Sequence, residues 1–399
     1  MGAILRLGIW VLLLFFAGGC AFKSAPGSRF DPQTTPRIAE PFPLSRNQSA
    51  VYKPVAWSKL PGWRKDDHAE ALSAFVRSCR VMQADARWTS ACAEAAQLTP
   101  EDAVGARIFF ETHFQPYEII GDGQRSEGLI TGYYLPLLKG SRTPGKRFKY
   151  PIYQKPADLV LVDLPAYGRG EKPVRGRLTP EGRVVPYYSR EQIDSALRPL
   201  AGNEIFWVED PVALFFLHIQ GSGYVELENG AVVQVGYAGQ NGHSYYPIGR
   251  HLIERGAISA EEVSLQTIRG WLEKNPDQMW TVMNKNPSYV FFQEGNITEG
   301  AFGSQGVILS PKRSIAVDPG FIPLGTPVFV NAGHPSQAGS LSRLTVAQDT
   351  GGAIRGPVRA DFFWGQGELA EESAGKMKSQ GRLWVLLPKQ AGIESEAMP

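Results

Sequence analysis

Cysteine is scarce in this chain: 399 residues hold 3, at positions 20, 79 and 92. So few exclude a disulfide-dense scaffold, and no histidine joins Cys79 and Cys92 at the spacing of a zinc site. The 6 histidines form no H-E-x-x-H pair. There is no G-x-x-x-x-G-K-[ST] loop, and no G-x-G-x-x-G opens a helix after a strand, so the common nucleotide-binding classes drop out. Charge of one sign is also missing. The formal net charge is +2 and the basic residues are scattered, so nothing implies nucleic acid. No metal or cofactor is expected. A serine elbow is absent too: Gln220-Gly221-Ser222-Gly223-Tyr224 lacks G-x-S-x-G and follows an apolar run instead of opening a helix.

Long apolar runs are lacking except at the start, where Leu7–Ala17 is too short to span a bilayer permanently. Arg6 precedes it and Gly18-Gly19-Cys20 follows, which reads as a signal peptide over 1–20 ending in a lipobox. Ala17 departs from that pattern, since Leu is usual three before the cysteine. Cleavage would leave Cys20 as a lipidated first residue, an anchor that needs no transmembrane helix. Ala21 in place of Asp after it points to the periplasmic face of the outer membrane. A plain secretory signal is the alternative. Residues 21–50, rich in Pro, Ser and Arg, read as a tether. In an oxidising compartment Cys79 and Cys92 are expected to pair, which would contribute roughly 3 kcal/mol.

What the chain has in abundance is turn residues, 43 Gly and 30 Pro, and enough length for two domains. Helical spacing of Ala69, Leu72, Phe75, Val76 and Cys79 predicts a helix from Asp66 to Met82. Thr99-Pro100-Glu101-Asp102 opens another, with Phe109, Phe110 and Phe114 as its buried face. From Gly128 strands take over: Leu129–Pro136, Tyr150–Tyr153, Gly182–Tyr188, Val212–Gln220, Gly223–Leu227, and Ala231–Val235 after an Asn229-Gly230 turn. Ser189–Gln192 and Ser259–Glu262 are capping boxes, the second opening a helix over 259–274. A helix is expected near 246–255. The last segment is expected to form strands at Gly306–Leu309, Thr326–Val330, Leu344–Ala347 and Arg382–Leu386. A helix near 367–379 precedes the last, with Gly381 as its cap. Short strands with frequent Gly and Pro favour barrels over a doubly wound sheet.

With the usual nucleophiles excluded, carboxylate chemistry remains. Asp318, Asp349 and Asp361 each lie beside glycine or bulky apolar residues in charge-poor stretches. Asp349 and Asp361 are separated by Gly351, Gly352 and Gly356, enough for two strand ends to aim both acids at one groove. Two close acids cannot both ionise cheaply, so one would keep its proton and act as a general acid. Asp361 is favoured by Phe362, Phe363 and Trp364 around it. Asp318 before Pro-Gly suits a turn cap. Sugar-binding character, ring faces with amides and hydroxyls, occurs in Thr131-Gly132-Tyr133-Tyr134, in Gln220-Gly221-Ser222-Gly223-Tyr224, and in Gly239 to Tyr246, where Gly239 and Asn241 are the candidates; Gly351 and Gly352 are also expected to contact substrate. Ordinary core tyrosines and turn glycines explain the same runs, and His243 reads as structural.

Five ordered motifs carry a specific likeness: Gly132–Pro136, Tyr150–Tyr153, Gln220–Tyr224, Tyr237–His243 and Asn286–Phe292. With Asp318-Pro319-Gly320, Asp349–Gly356 and Arg359-Ala360-Asp361, they resemble the MltA family of membrane-bound lytic murein transglycosylases and its three-aspartate (3D) module. The likeness runs from about Thr131 to Leu387. It implies a mainly β fold: a double-psi β-barrel domain with an inserted second β-barrel domain, plus N-terminal helices. Residues 51–135 and 295–388 would form the first domain and 136–294 the insertion. It implies cleavage of the β-1,4 bond between N-acetylmuramic acid and N-acetylglucosamine of peptidoglycan glycan strands, leaving 1,6-anhydromuramic ends. On this resemblance Asp361 is the single acid and base, Asp349 tunes it and Asp318 shapes the site. Partners in cell-wall synthesis and division complexes are compatible with it. A peptidoglycan or glucan hydrolase, or a non-catalytic peptidoglycan-binding lipoprotein, are the competing expectations.

Overall fold

The computed structural model describes residues 50–99, 101–170, 173–295 and 300–389. The expected leader, Cys20 and the tether up to residue 49 lie outside the described residues. Among those described, no helix is long and apolar enough to cross a membrane.

The fold is mainly β with helices on its N-terminal side. Eight strands share one sheet in the order Val51–Pro54, Phe114–Ile120, Lys378–Pro388, Pro327–Gly333, Ser340–Asp349, Ser314–Val317, Ala360–Gln366, Gly128–Leu135. Lys378–Pro388 pairs again with Gly128–Leu135, from Lys378↔Thr131 to Gly381↔Gly128, so the last six strands close into a ring. Strand alternation fills it. Ile315 and Val317, Val328 and Val330, Ala360 and Phe362, Leu383 and Val385 are two apart on their strands and buried in one cluster. Apart from Ala360, each such side chain contributes roughly 1.5–3 kcal/mol by leaving water.

Helices His68–Met82, Ala86–Ala95 and Ala103–His113 pack against the ring through Phe329, Leu344, Val346 and Trp384. The predicted face is the buried one: Leu72, Phe75 and Cys79 face the core, and Phe75 meets Phe109, Phe110 and Phe114 at 5.6–6.2 Å between ring centres. Asp67 caps the first helix by accepting from Ala69 N–H at 3.1 Å. The third helix starts later than expected. Asp102, not Thr99, is its cap, accepting from Gly105 N–H at 2.8 Å. Cys79 and Cys92 are disulfide-bonded, tying the first two helices together. Asp66, fully buried, is held by Arg313 and Arg343 at 2.9 Å and by Leu344 N–H at 2.6 Å, which locks the start of the first helix to the ring.

A second sheet, entirely between Leu137 and Gly295, orders its strands Val290–Gly295, Val232–Gln240, Gly223–Leu227, Leu137–Ser141, Glu204–Val208, Tyr150–Tyr153. A single parallel bridge, Gln154 to Phe292, joins its two ends. A small third sheet holds Leu159–Val162, Val174–Leu178 and Val184–Pro186.

Several expectations fail here for identifiable reasons. Val212–Gln220 is a helix, Pro211–Gln220, not a strand. It is apolar on nearly every side, which hides its period. Its ends decide the matter. Asp210 accepts from Val212 and Ala213 N–H at 2.8 and 3.0 Å, Pro211 occupies the first turn, and Gly221 ends it at φ 77. The capping interaction of Ser259 with Glu262 forms but leads only into a turn. The helix is Leu265–Lys274, capped by Ser264. Gly306–Leu309 is a loop with one bridge, Phe302 to Ile308. The last helix, Glu368–Lys376, ends before Gly381, which belongs to the final strand.

Candidate active site

Four strands of the ring place the chemistry side by side. Asp361 lies opposite Thr131 on a parallel neighbour and opposite Ala316 on an antiparallel one. Ala316 in turn lies opposite Asp349. Both acids therefore flank one small residue, two strand spacings or roughly 10 Å apart at Cα. Register explains how Asp349 gets there. Ile315 pairs with Ala347 but Ala316 pairs with Asp349, so Gln348 is the extra residue of a bulge. Without it Asp349 would face the other way.

Tyr133 and Phe363, the next residues on the same face, meet at 5.0 Å between ring centres with a 36° tilt and join Ala316, Leu309, Ile354 and Tyr224 in one apolar cluster. This corrects one expectation. Phe362 and Trp364 belong to the ring interior, so only Phe363 of the three flanking aromatics shares the face of Asp361.

The two acids receive different numbers of hydrogen bonds. Asp349 accepts four: Ser304 N–H at 2.9 Å, Ser304 Oγ at 2.8 Å and Thr350 N–H at 2.8 Å on Oδ1, and Tyr133 OH at 3.2 Å on Oδ2. Asp361 accepts one, from Thr131 Oγ1 at 2.6 Å. Desolvation raises the pKa of both carboxyl groups. Donors to Asp349 oppose that rise, whereas Asp361 has only the Thr131 hydroxyl and the Arg359 charge against it, with the Asp349 charge adding to it. Hydrogen bonding therefore favours the ionised form at Asp349 more than at Asp361. Burial and both carboxylates also push the Tyr133 hydroxyl far above its usual range, so it remains a donor.

Asp318 sits apart in role. Its Oδ1 accepts from Gly320 N–H at 3.1 Å and its Oδ2 from Gly356 N–H at 2.9 Å. It fastens the loop between Asp349 and Asp361.

The expected sugar-contacting residues divide. Thr131 and Tyr133 touch the acids. Tyr134 is buried in the ring, its N–H donating to Gln220 Oε1 at 3.2 Å, and Tyr224 is buried beside Tyr133. These tyrosines keep no free face for a sugar. A side chain at Gly132, Gly223 or Gly351 would collide with Trp364, Leu217 or Ile354, so those glycines serve close packing. Gly221 and Gly352 face open space, Gly239 has ordinary clearance and Ser222 is half-exposed. Asn241 is fully buried. Its amide donates to Tyr188 and Pro287 carbonyls at 2.9 and 2.8 Å and accepts from Tyr289 N–H at 2.9 Å, leaving nothing to offer a ligand. His243 bonds the Tyr187 carbonyl at 2.8 Å and is structural, as expected.

Sequence reasoning gave no role to Ser304, Thr350 or Arg359, and it placed Tyr245 within a sugar-binding run without singling it out. Ser304 stands 45 positions from its acid, in the loop misread as leading into a strand. Tyr245 is 41% exposed, so part of its ring surface remains available, and burial together with the charge of Asp361 raises its hydroxyl's pKa against the opposing charge of Arg190. Its place in a Gly- and Asn-rich run, Gly239 to Tyr246, was the available signal. Among the described residues, no cluster of His, Cys, Asp and Glu could hold a metal ion.

Residues 129–293 match the MltA specific insert domain and 313–387 the 3D domain. The membrane-bound lytic murein transglycosylase A of Vibrio cholerae is 30% identical over 279 residues, 68% of each chain. The crystal structure of MltA from Neisseria gonorrhoeae, in its monoclinic form, is 36% identical, covers 88% of this chain and 95% of that one, and superposes with a TM-score of 0.75. Escherichia coli MltA with bound chitohexaose is 26% identical, covers 86% of this chain and 93% of that one, with a TM-score of 0.63. The chain belongs to the family of membrane-bound lytic murein transglycosylase A.

Proposed function

We propose that this protein is a lytic transglycosylase that cleaves peptidoglycan between N-acetylmuramic acid and N-acetylglucosamine with Asp361 as its single acid and base. One observation carries the proposal: the unequal supply of donors to the two acids. Three of the four donors to Asp349 crowd its Oδ1 and the fourth, the Tyr133 hydroxyl, meets Oδ2. Those hydrogen bonds stabilise the ionised form and make it the weaker nucleophile and base of the two. Asp361, protonated and with one partner, is the group able to give a proton and take it back.

In the reaction the Asp361 carboxyl protonates the glycosidic oxygen as its bond to C1 breaks. The C6 hydroxyl of the same muramic residue attacks C1, and the Asp361 carboxylate takes the hydroxyl proton. The products are a 1,6-anhydromuramic end and a free 4-hydroxyl, with the enzyme back in its starting state and no water consumed. The negative charge of Asp349 keeps Asp361 protonated and stabilises the positive charge that builds at C1. Tyr245 supplies a ring for a sugar to stack on.

The same proposal extends to the architecture and location. Residues 51–135 and 295–388 form a double-psi barrel with 136–294 inserted as a second barrel, and lipidated Cys20 holds the enzyme on the periplasmic face of the outer membrane. Digestion of purified sacculi, with mass spectrometry of the soluble products, tests the chemistry. Anhydro ends are expected. Reducing ends would make the protein a hydrolase, and sacculus binding without release would make it a binding lipoprotein.

A further inference from the structure

Gln348 occupies the one position that makes the site's register possible. It is the bulged residue between Ala347, which faces the ring core, and Asp349, which faces the substrate side. Its side chain is fully buried and fully engaged. Nε2 donates to the Ala74 carbonyl and to Ser78 Oγ of the first helix, both at 2.9 Å, and Oε1 accepts from Ser314 Oγ.

The network continues to the donors of Asp349. Ser78 Oγ donates to Gln305 Oε1 at 2.8 Å, and Gln305 N–H donates to the Gln348 carbonyl at 3.1 Å. Gly303 lets the loop come that close, since a Cβ there would lie 2.3 Å from the Gln348 oxygen. Between Gly303 and Gln305 sits Ser304, which supplies two of the four hydrogen bonds to Asp349. Every polar atom of the Gln348 side chain is satisfied in this network, which favours one geometry, while Gln305 Nε2 is its one member left without a partner.

We propose that Gln348 is a positioning residue of the site: pinned between Ser78, Ala74 and Ser314, it fixes the bulge that aims Asp349 and, with Gln305, the loop that delivers Ser304 to it. The inference rests on the assignment of Asp361 as the acid. Its consequence is electrostatic. Loosening Gln348 withdraws donors from Asp349, which then holds its proton more readily. Asp361 loses a neighbouring negative charge and gives up its proton at lower pH. The other titratable groups facing the two acids are Tyr133, Arg359 and Tyr245.

The test uses Gln348→Met, which keeps volume and removes the hydrogen bonds, together with Ser78→Ala and the exposed Ser304→Ala. Turnover of sacculi is measured across pH beside sacculus binding. Gln348→Met is expected to bind normally, turn over about tenfold more slowly, and show its alkaline limb moved acidward by about half a pH unit. Ser78→Ala and Ser304→Ala should move the limb the same way by less. Profiles that superimpose on the parent after scaling would overturn the inference. Should Gln348→Met fail to fold, the Ser78→Ala and Ser304→Ala profiles decide by the same criterion. An active Asp361→Asn would instead overturn the assignment of the acid on which the inference rests.

Discussion

The neighbourhoods of Asp349 and Asp361 are built from the same sheet, on either side of the same alanine, and both are desolvated. They differ in what is donated to them. The Asp349 side is a strand end met by a loop, where Ser304 and Thr350 turn backbone N–H groups and a hydroxyl toward the carboxylate. The Asp361 side is strand interior, where neighbouring N–H groups are committed to the ladder and one threonine hydroxyl remains. Burial alone therefore does not distinguish the two acids. Hydrogen-bond supply does, because a strand end has free backbone donors to give. Asp66 marks the far end of the same scale. Burial would raise its pKa, yet hydrogen bonds and charge from Arg313, the Leu344 N–H and Arg343 outweigh that and hold it below the usual carboxylate range.

The comparison breaks most sharply at Asp361. Asp361→Asn keeps the shape and the Thr131 contact but has no proton to give, so kcat should fall about 10³- to 10⁴-fold while sacculus binding persists. Near-normal release of murein would remove Asp361 from the role. Asp66→Ala comes next and acts on stability. It leaves Arg313, 2% exposed, without its buried partner, so unfolding free energy should drop by ~3–5 kcal/mol in denaturant titrations. Its pH signature has a definite sign. Because the folded carboxyl titrates below the unfolded one, its stabilisation is complete above the ordinary aspartate pKa. It is lost as pH falls through the folded value. Acid unfolding that is identical in parent and variant would refute this.

Asp349→Asn sharpens the difference between the two neighbourhoods. It removes the charge while leaving an oxygen for Ser304. Turnover should fall about 10- to 100-fold, or ~1.4–2.7 kcal/mol in the barrier. Since the lost charge was raising the pKa of Asp361, activity should also disappear at lower pH as pH rises. A variant with the parent's alkaline limb would show that the two acids do not communicate. The parent itself should work best below neutrality, because Asp361 must carry its proton.

Much of this was legible in the sequence. Asp318 read as a turn residue, and the helix Asp66–Met82 and the pairing of Cys79 with Cys92 were anticipated. These are local facts: spacing, caps and Pro-Gly neighbours. What stayed hidden is non-local. The Ser304 donors come from a separate loop, and the bulge at Gln348 exists only relative to Ser314–Val317. Two of the three aromatics assigned to Asp361 belong elsewhere, because alternation sends Phe362 and Trp364 into the ring. The tyrosines assigned to sugar stacking are largely core. Burial of a ring is decided by partners far along the chain, which composition does not reveal. Pro211–Gln220 failed for a different reason: Asp-Pro at its start and Gly at its end were visible, and the apolar run between them was given more weight than its caps.

The smallest effect belongs to the third aspartate. Asp318 holds two glycine N–H groups, one on each carboxylate oxygen, and so ties its own turn to the loop that joins Asp349 to Asp361. Asn in its place keeps one oxygen and can satisfy one of the two donors. Asp318→Asn should cost ~1 kcal/mol of stability, slow turnover less than about threefold, and leave the shape of the pH profile unchanged. Asp318→Ala, which abandons both N–H groups, should cost roughly twice as much. A large loss of turnover in Asp318→Asn without loss of stability would make Asp318 a participant in the chemistry, and the division into one acid, one counter-charge and one loop anchor would have to be redrawn.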